Sequence, residues 1–317
     1  MENKPLWTIA GVLEWTKQYF ANKGIENPRL DAEILLCAVL KCERINLYVR
    51  FDQPLEDEEL ALYRGYVARR ANQEPLAYIL GKKAFMKHSF KVTPAVLVPR
   101  PETELLVESV AKAAAGSGAA ALLDIGTGSG AIIVSLLDLL PQALGTAVDI
   151  SAAALQVAGE NAAAIGVAER LTLLESDLFS KLPAGQSFDI IVSNPPYFVD
   201  SLECPDRQRT AARHNNSLSY EDLLEGVSGL LTENGFFTVV IPADVAERVK
   251  KIASIKKLYA VRQLNVITKP GGIPKRVLIT FSFSNQECIV EELLTELARH
   301  QYSEEYMTLT RDYYLNM

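Results

Sequence analysis

Apolar positions along this chain follow two rhythms, and the change between them marks its organisation. From Trp7 to about Arg70 the spacing is helical, with Trp7, Val12, Trp15 and Tyr19 recurring near a 3.6-residue period. Pro28 stands just before a second helical stretch, Asp31-Ala-Glu-Ile-Leu-Leu-Cys-Ala-Val-Leu. Leu55-Glu56-Asp57-Glu58-Glu59-Leu60 opens a third, its acidic first turn suited to the helix dipole. Between Gln73 and Pro99 the rhythm breaks. There Pro75, Gly81 and Pro94 punctuate short β-like runs such as Ser89-Phe-Lys-Val, the pattern of a hairpin. Beyond Arg100, buried-strand runs alternate with helical stretches, which predicts an α/β fold with a mostly parallel sheet. The pattern thus divides the chain into a helical domain over 1–75, a hairpin linker over 76–99 and an α/β domain over 100–317.

The most informative apolar run is Phe188-Asp-Ile-Ile-Val-Ser193, because of how it ends. Asn194-Pro195-Pro196-Tyr197 follows it directly. Two prolines cannot continue a ladder, and each fixes its own φ, so the chain leaves the strand as a rigid elbow. That puts an amide, backbone carbonyls and an aromatic ring at the carboxyl end of a strand, where open α/β sheets bind ligands. A strand followed by a Pro-rich turn would be the plainer reading, and a second motif upstream weighs against it.

That motif is Ala121-Leu-Leu-Asp124-Ile-Gly126-Thr127-Gly128-Ser129-Gly130, leading into the apolar helix Ala131-Ile-Ile-Val-Ser-Leu-Leu. Glycines let the backbone pass close to a ligand, and the helix start offers N–H groups. Asp149 ends the next apolar run, about 20 residues on, where an acidic side chain accepts hydrogen bonds from ribose hydroxyls. The competing role for Asp149 is helix capping. Asp177 and Leu178 close a third strand, and are placed to receive an adenine by hydrogen bond and apolar contact. Arg100, Glu102 and Glu104 sit at a helix start between prolines and could line the cleft, although Glu102 or Thr103 could simply cap that helix.

Composition narrows the classes. A chain of 317 residues with 49% hydrophobic content suggests two domains with ample core. A net charge of −7 argues against a basic nucleic-acid coat, while leaving room for local patches. The four scattered cysteines form no CxxC pair, and Met1-Glu2-Asn3-Lys4 is no secretory leader, so a reducing, cytoplasmic setting is expected. No run is long enough for a membrane span, and three distant histidines argue against a metal site.

Taken together, the glycine loop, ribose acid, adenine site and Asn-Pro-Pro-Tyr resemble the class I S-adenosylmethionine-dependent methyltransferases, with a Rossmann-like fold. The resemblance implies S-adenosyl-L-methionine as cofactor, S-adenosyl-L-homocysteine as product, and a planar nitrogen as methyl acceptor. It assigns cofactor binding to Asp124, Gly126 to Gly130, Asp149, Asp177, Leu178 and Asn194, and catalysis to Asn194, Pro195, Pro196 and Tyr197.

Two families are then resembled in different parts. Over residues 1 to about 193, Pro28-Arg-Leu-Asp-Ala-Glu-Ile-Leu-Leu, Gln73-Glu-Pro-Leu-Ala-Tyr-Ile-Leu-Gly and Val96-Leu-Val-Pro-Arg-Pro-Glu-Thr-Glu look like the release-factor glutamine-N5 methyltransferases. After Tyr197, Cys204-Pro-Asp-Arg207-Gln-Arg209-Thr-Ala-Ala-Arg213-His214, Pro274-Lys-Arg276-Val-Leu-Ile-Thr-Phe-Ser and a tail from Tyr302 look like the bacterial tRNA (valine) adenine-N6 methyltransferases. The chain therefore reads as a hybrid. A peptide chain release factor is the first expected acceptor, tRNA the alternative, and an inactive cofactor-binding form the third possibility. Arg207 and Arg213, with Arg100, Glu102 and Glu104, are the expected acceptor contacts.

Overall fold

The computed structural model describes residues 7–116, 118, 120–195, 219–298, 301–311 and 313. The chain divides into two compact units, Met1–Lys82 with Val92–Pro94, and Lys83–Lys91 with Ala95–Met317.

The first unit is helical: α1 (Ile9–Asn22), α2 (Pro28–Leu40), α3 (Arg44–Val49), α4 (Asp57–Ala71) and α5 (Leu76–Leu80). Three of the starts have a local cause. Thr8 accepts the Gly11 N–H at the head of α1. Glu56 and Glu59 form a reciprocal capping box at α4. Helix α2 begins at Pro28, earlier than its apolar pattern suggests, because proline lacks an N–H that the first helical position would leave unpaired anyway. Ile9, Phe20, Leu35, Leu36, Tyr63 and Val67 make its core. Inside it, Glu33 is buried and held by Arg29 and Arg44.

The second unit opens with a hairpin whose strands are β1 (Lys82–Phe85) and β2 (His88–Lys91), then α6 (Pro101–Ala113). There follow β3 (Ala121–Ile125), α7 (Ala131–Leu139), β4 (Leu144–Asp149), α8 (Ala152–Ile165), β5 (Leu171–Glu175) and β6 (Phe188–Ser193). The carboxyl half adds α9 (Tyr220–Leu230), β7 (Leu231–Pro242), α10 (Ala246–Ile255), β8 (Tyr259–Ile267), β9 (Arg276–Ser282) and β10 (Ile289–Leu294). A short hairpin of β11 (Glu296–Ala298) and β12 (Gln301–Tyr302) leads to α11 (Glu304–Thr310).

Eight strands form one sheet in the order β10-β8-β9-β7-β6-β3-β4-β5. Only β9 runs antiparallel to its neighbours β7 and β8. Side chains alternate between two cores. Leu122, Ile190 and Val192 face α6, α7 and the hairpin residues Phe85 and Phe90. Leu123, Ile191, Phe237 and Val239 face α9 and α10. Burial on both faces explains why β6 reads as a continuous apolar run. The chain winds outward from β3 through β4 to β5, then returns to lay β6 on the other side of β3. That reversal opens a crevice at the carboxyl ends of β3 and β6.

Phe237 is fully buried and stacks on Phe281, ring centroids 6.1 Å apart. Phe237→Ala should therefore cost about 3–5 kcal/mol, read from chemical denaturation followed by circular dichroism. A loss under about 1 kcal/mol would contradict this packing.

Candidate active site

The loop after β3 turns sharply because three of its glycines adopt left-handed backbone: Gly126 at φ +72°, Gly128 at +56° and Gly130 at +76°. They differ in purpose. A Cβ on Gly130 would lie 3.1 Å from that of Ala158, so this glycine lets α7 pack on α8. A Cβ on Gly126 or Gly128 would meet nothing within 4 Å. The loop thus presents bare backbone to open space at the start of α7.

The loop is held from below and from both sides. Asp124 is fully buried beneath it and accepts the Thr127 hydroxyl at 2.7 Å. Its other oxygen, Oδ1, has no hydrogen-bond partner among the described residues. Burial pushes the Asp124 carboxyl up to about 7; the Thr127 hydroxyl and the Ile133 backbone N–H oppose the rise and the Asp149 charge adds to it. Gly126 and Thr127 both donate backbone N–H groups to the Val148 carbonyl. Asp149, half-buried at the end of β4, accepts from Gly128 N–H and Ser151 N–H, each at 2.9 Å. Ser151, not Asp149, caps α8. On the far side, buried Asn161 of α8 donates to the Ser129 carbonyl and exchanges two hydrogen bonds with the Lys91 backbone.

The Ser176 N–H donates to the Asp149 carbonyl at 3.0 Å, so the ends of β4 and β5 stay together. Asp177 comes next, exposed, followed by half-buried Leu178 at φ +49°. A leucine in left-handed backbone is uncommon and costs of order 1 kcal/mol, as often happens beside ligand sites.

At the end of β6, the buried Ser193 hydroxyl donates to the Ile125 carbonyl at 2.8 Å, fastening the two strands at the crevice. Asn194 follows, half-buried, and its Nδ2 donates to Thr103 Oγ1 at 3.0 Å. Thr103 belongs to the first turn of α6. Neither it nor Glu102 caps that helix: Arg100 is the N-cap residue and makes no side-chain cap bond, and Pro101 fills the first position. Arg100 is exposed and Glu102 half-buried. Glu104 turns into the core and accepts the Met86 N–H at 2.9 Å, bracing the β1–β2 turn. Pro195 is buried. Pro196, Tyr197, Arg207 and Arg213 lie outside the described residues.

The structure therefore joins Asp124, the glycine loop and Asp149 in one network and sets Asn194 beside it. Three contributors escape sequence reasoning: Thr103, whose partner is 91 residues away, Asn161 and Ser193. A lone asparagine in the alanine-rich face of α8 is the one signal that was there to be read. Among the described residues no group of three His, Cys, Asp or Glu is placed to hold a metal, and no helix is long and apolar enough to cross a membrane.

Residues 11–81 match the family described as PrmC N-terminal domain, and residues 101–249 the one described as Methyltransferase small domain. A tRNA1(Val) (adenine(37)-N6)-methyltransferase of Bacteroides thetaiotaomicron is 59% identical over 202 residues, 63% of this chain and 84% of that relative. A release factor glutamine methyltransferase of Chlorobaculum tepidum is 37% identical over 269 residues, 80% of this chain and 91% of that relative. The chain belongs to the S-adenosylmethionine-dependent N-methyltransferases. Its kinship is double, as the two sets of motifs imply. A second release factor glutamine methyltransferase, from Geobacter sulfurreducens, is 52% identical over 62% of this chain and 68% of its own length. Its match and that of the tRNA relative must overlap. Among solved structures, a type I restriction-modification methyltransferase subunit from Streptococcus thermophilus shares the fold, with TM-score 0.51 and 15% identity over 79% of this chain and 58% of its own.

The N-methyltransferase crevice fits the cofactor on its own terms: open space over Gly126 and Gly128, a carboxylate at Asp149, and a buried acid with an unpartnered oxygen. Gly128→Val should abolish S-adenosylmethionine binding by filling that space and straining the left-handed backbone. Near-normal affinity by calorimetry would contradict it. Asp149→Ala should weaken binding by about 1–3 kcal/mol, and an unchanged affinity would leave Asp149 only its loop and helix contacts.

Asp124 also has a pH signature. Its folded carboxyl, near 7, lies above the ordinary value near 3.9, so ionisation favours the unfolded chain. Stability of the cofactor-free protein should fall as pH rises from about 4 to about 7, and level off above. In Asp124→Asn this loss should vanish, so the variant's advantage grows across that window, by at most about 4 kcal/mol. Melting curves that run parallel from pH 4 to 8 would contradict it.

Proposed function

We propose that this N-methyltransferase acts on the side-chain amide of a glutamine in a peptide chain release factor. The observation that carries the proposal is the helical unit, which matches the PrmC N-terminal domain over residues 11–81. Release-factor-type relatives extend over up to 81% of the chain, against 63% for the tRNA-type relatives.

S-adenosyl-L-methionine would lie over Gly126 to Gly130, with Asp149 on its ribose and Asp177 and Leu178 at its adenine, and would supply an electrophilic methyl group on a sulfonium. The chain's task is then to prepare the acceptor. An amide nitrogen is a poor nucleophile because its lone pair is delocalised into the carbonyl. The Asn194 Oδ1 and the Pro195 carbonyl can accept its two N–H groups, which orients the lone pair and favours pyramidalisation. Positioning and electrostatics supply the rate. Proton loss to water follows alkylation readily, so no strong base is required. The buried Asp124 offers negative charge behind the loop, which a cation in the crevice would draw into its ionised form.

A second reading has its own support: the 59% identity to a tRNA adenine-N6 methyltransferase. An exocyclic adenine amine offers the same planar NH2 to Asn194 and Pro195. Arg207 and Arg213 would then meet phosphates.

Full-length protein given methyl-labelled cofactor, purified release factor and tRNA should label the release factor, with a modest dependence on salt. Label in tRNA, with activity falling steeply from 50 to 200 mM salt, would overturn the first reading in favour of the second. Asn194→Ala should keep cofactor affinity within a few-fold and cut the rate by at least ~10²-fold. Equal losses in both would make Asn194 a residue of the fold.

A further inference from the structure

Asn194 does not stand alone at the end of β6. Its Nδ2 donates across 3.0 Å to the hydroxyl of Thr103, 91 residues earlier in the chain. Thr103 is 4% exposed and lies in the first turn of α6. That turn is firmly set. Pro101 fixes its start, Glu104 is bonded to the Met86 N–H, and Leu105, Leu106 and Val107 are buried in the core.

We infer that Thr103 is a positioning residue for methyl transfer, holding the Asn194 carboxamide so that its oxygen faces the methyl acceptor. The inference rests on the role given to Asn194 above and names what enforces it. The two ends of a carboxamide are nearly equal in size, so shape does not choose between them. Chemistry does. An acceptor NH2 needs an oxygen opposite it; a carboxamide turned the other way would set N–H groups against N–H groups. Turning the oxygen outward leaves the Nδ2 hydrogens pointing inward, where they need a buried acceptor. Thr103 Oγ1 is that acceptor. A hydroxyl can pair with either end of a carboxamide, so Thr103 anchors the inner end while the N–H groups of the acceptor select the outward oxygen. Without the hydroxyl, an N–H of Asn194 would be left unpaired on the buried side and the side chain would lose its anchor. The hydroxyl does not reach the crevice chemistry itself.

This assignment separates Thr103 from helix capping, the role its sequence position suggests. It also separates it from cofactor binding, since among the described residues its side-chain hydrogen bond goes to Asn194.

The test uses the full chain with whichever acceptor takes the label. Thr103→Val keeps the side-chain shape and removes the hydroxyl; Thr103→Ser keeps the hydroxyl. The expected result is a kcat about 10-fold or more lower in Thr103→Val, with cofactor Kd and acceptor KM within about 3-fold of the parent. Thr103→Ser should recover kcat to within about 3-fold. Adding Thr103→Val to Asn194→Ala should slow the enzyme no further, because the two act as one unit. If the valine variant melts well below the parent, Thr103→Ala must show the same split between kcat and binding. Parental kcat in Thr103→Val, alongside a slow Asn194→Ala, would overturn the positioning role alone. A near-parental Asn194→Ala would instead overturn the role given to Asn194. Loss of cofactor affinity and melting temperature in step with rate, unrescued by serine, would make Thr103 a residue of the fold only.

Discussion

The pairing of β3 with β6 sets where the ends of both strands lie. In that register Ile125 lies opposite Ser193, and the Ser193 hydroxyl closes the pair on the Ile125 carbonyl. The next residue on each strand is therefore Gly126 on one side and Asn194 on the other. The loop suited to the cofactor and the amide suited to the acceptor thus stand side by side. A one-residue slip would turn every side chain of β6 to the opposite face and exchange the contents of the two cores. With both faces of β6 buried, that slip is costly, so the fold holds the site in place.

Around this pair the polar groups divide between holding and acting. Val148, Asn161 and Ser193 only hold: they tie the glycine loop, the hairpin and the strand ends together. In the proposed function Asp149 does both, accepting Gly128 N–H while its carboxylate keeps lone pairs for the cofactor ribose. Asp124 is the exceptional case. A carboxyl kept fully buried with one oxygen unpartnered weakens the cofactor-free fold, and is compatible with a site that awaits a positive charge. The left-handed Leu178 is a second local cost at the same rim.

Much of this was legible in the sequence because it is local. Periodicity marks the long helical stretches of the first unit and the buried strand before Asn194. The glycine spacing marked the turn before α7. What stayed hidden depends on distance in the chain. Nothing near Thr103 announces Asn194, so it looked like a capping residue. Nothing near Glu104 announces Met86, so a buried brace looked like a cleft residue. Short α3 and α5 carry too few residues for a period to show, β10 owes its pairing to β8 in the large sheet, and β11 and β12 are only three and two residues long. The double likeness, by contrast, was visible in motifs, since each family's signature is a contiguous string.

In the proposed function, cofactor and acceptor meet in the crevice between β3 and β6. Hydrogen–deuterium exchange of the full chain, with and without S-adenosylmethionine, tests it most directly. New protection is expected in the peptides spanning Gly126 to Ala131, Asp149 to Ser151 and Ser176 to Leu178, with the helical unit unchanged. Protection confined to the helical unit, or no change at the glycine loop under saturating cofactor, would contradict it.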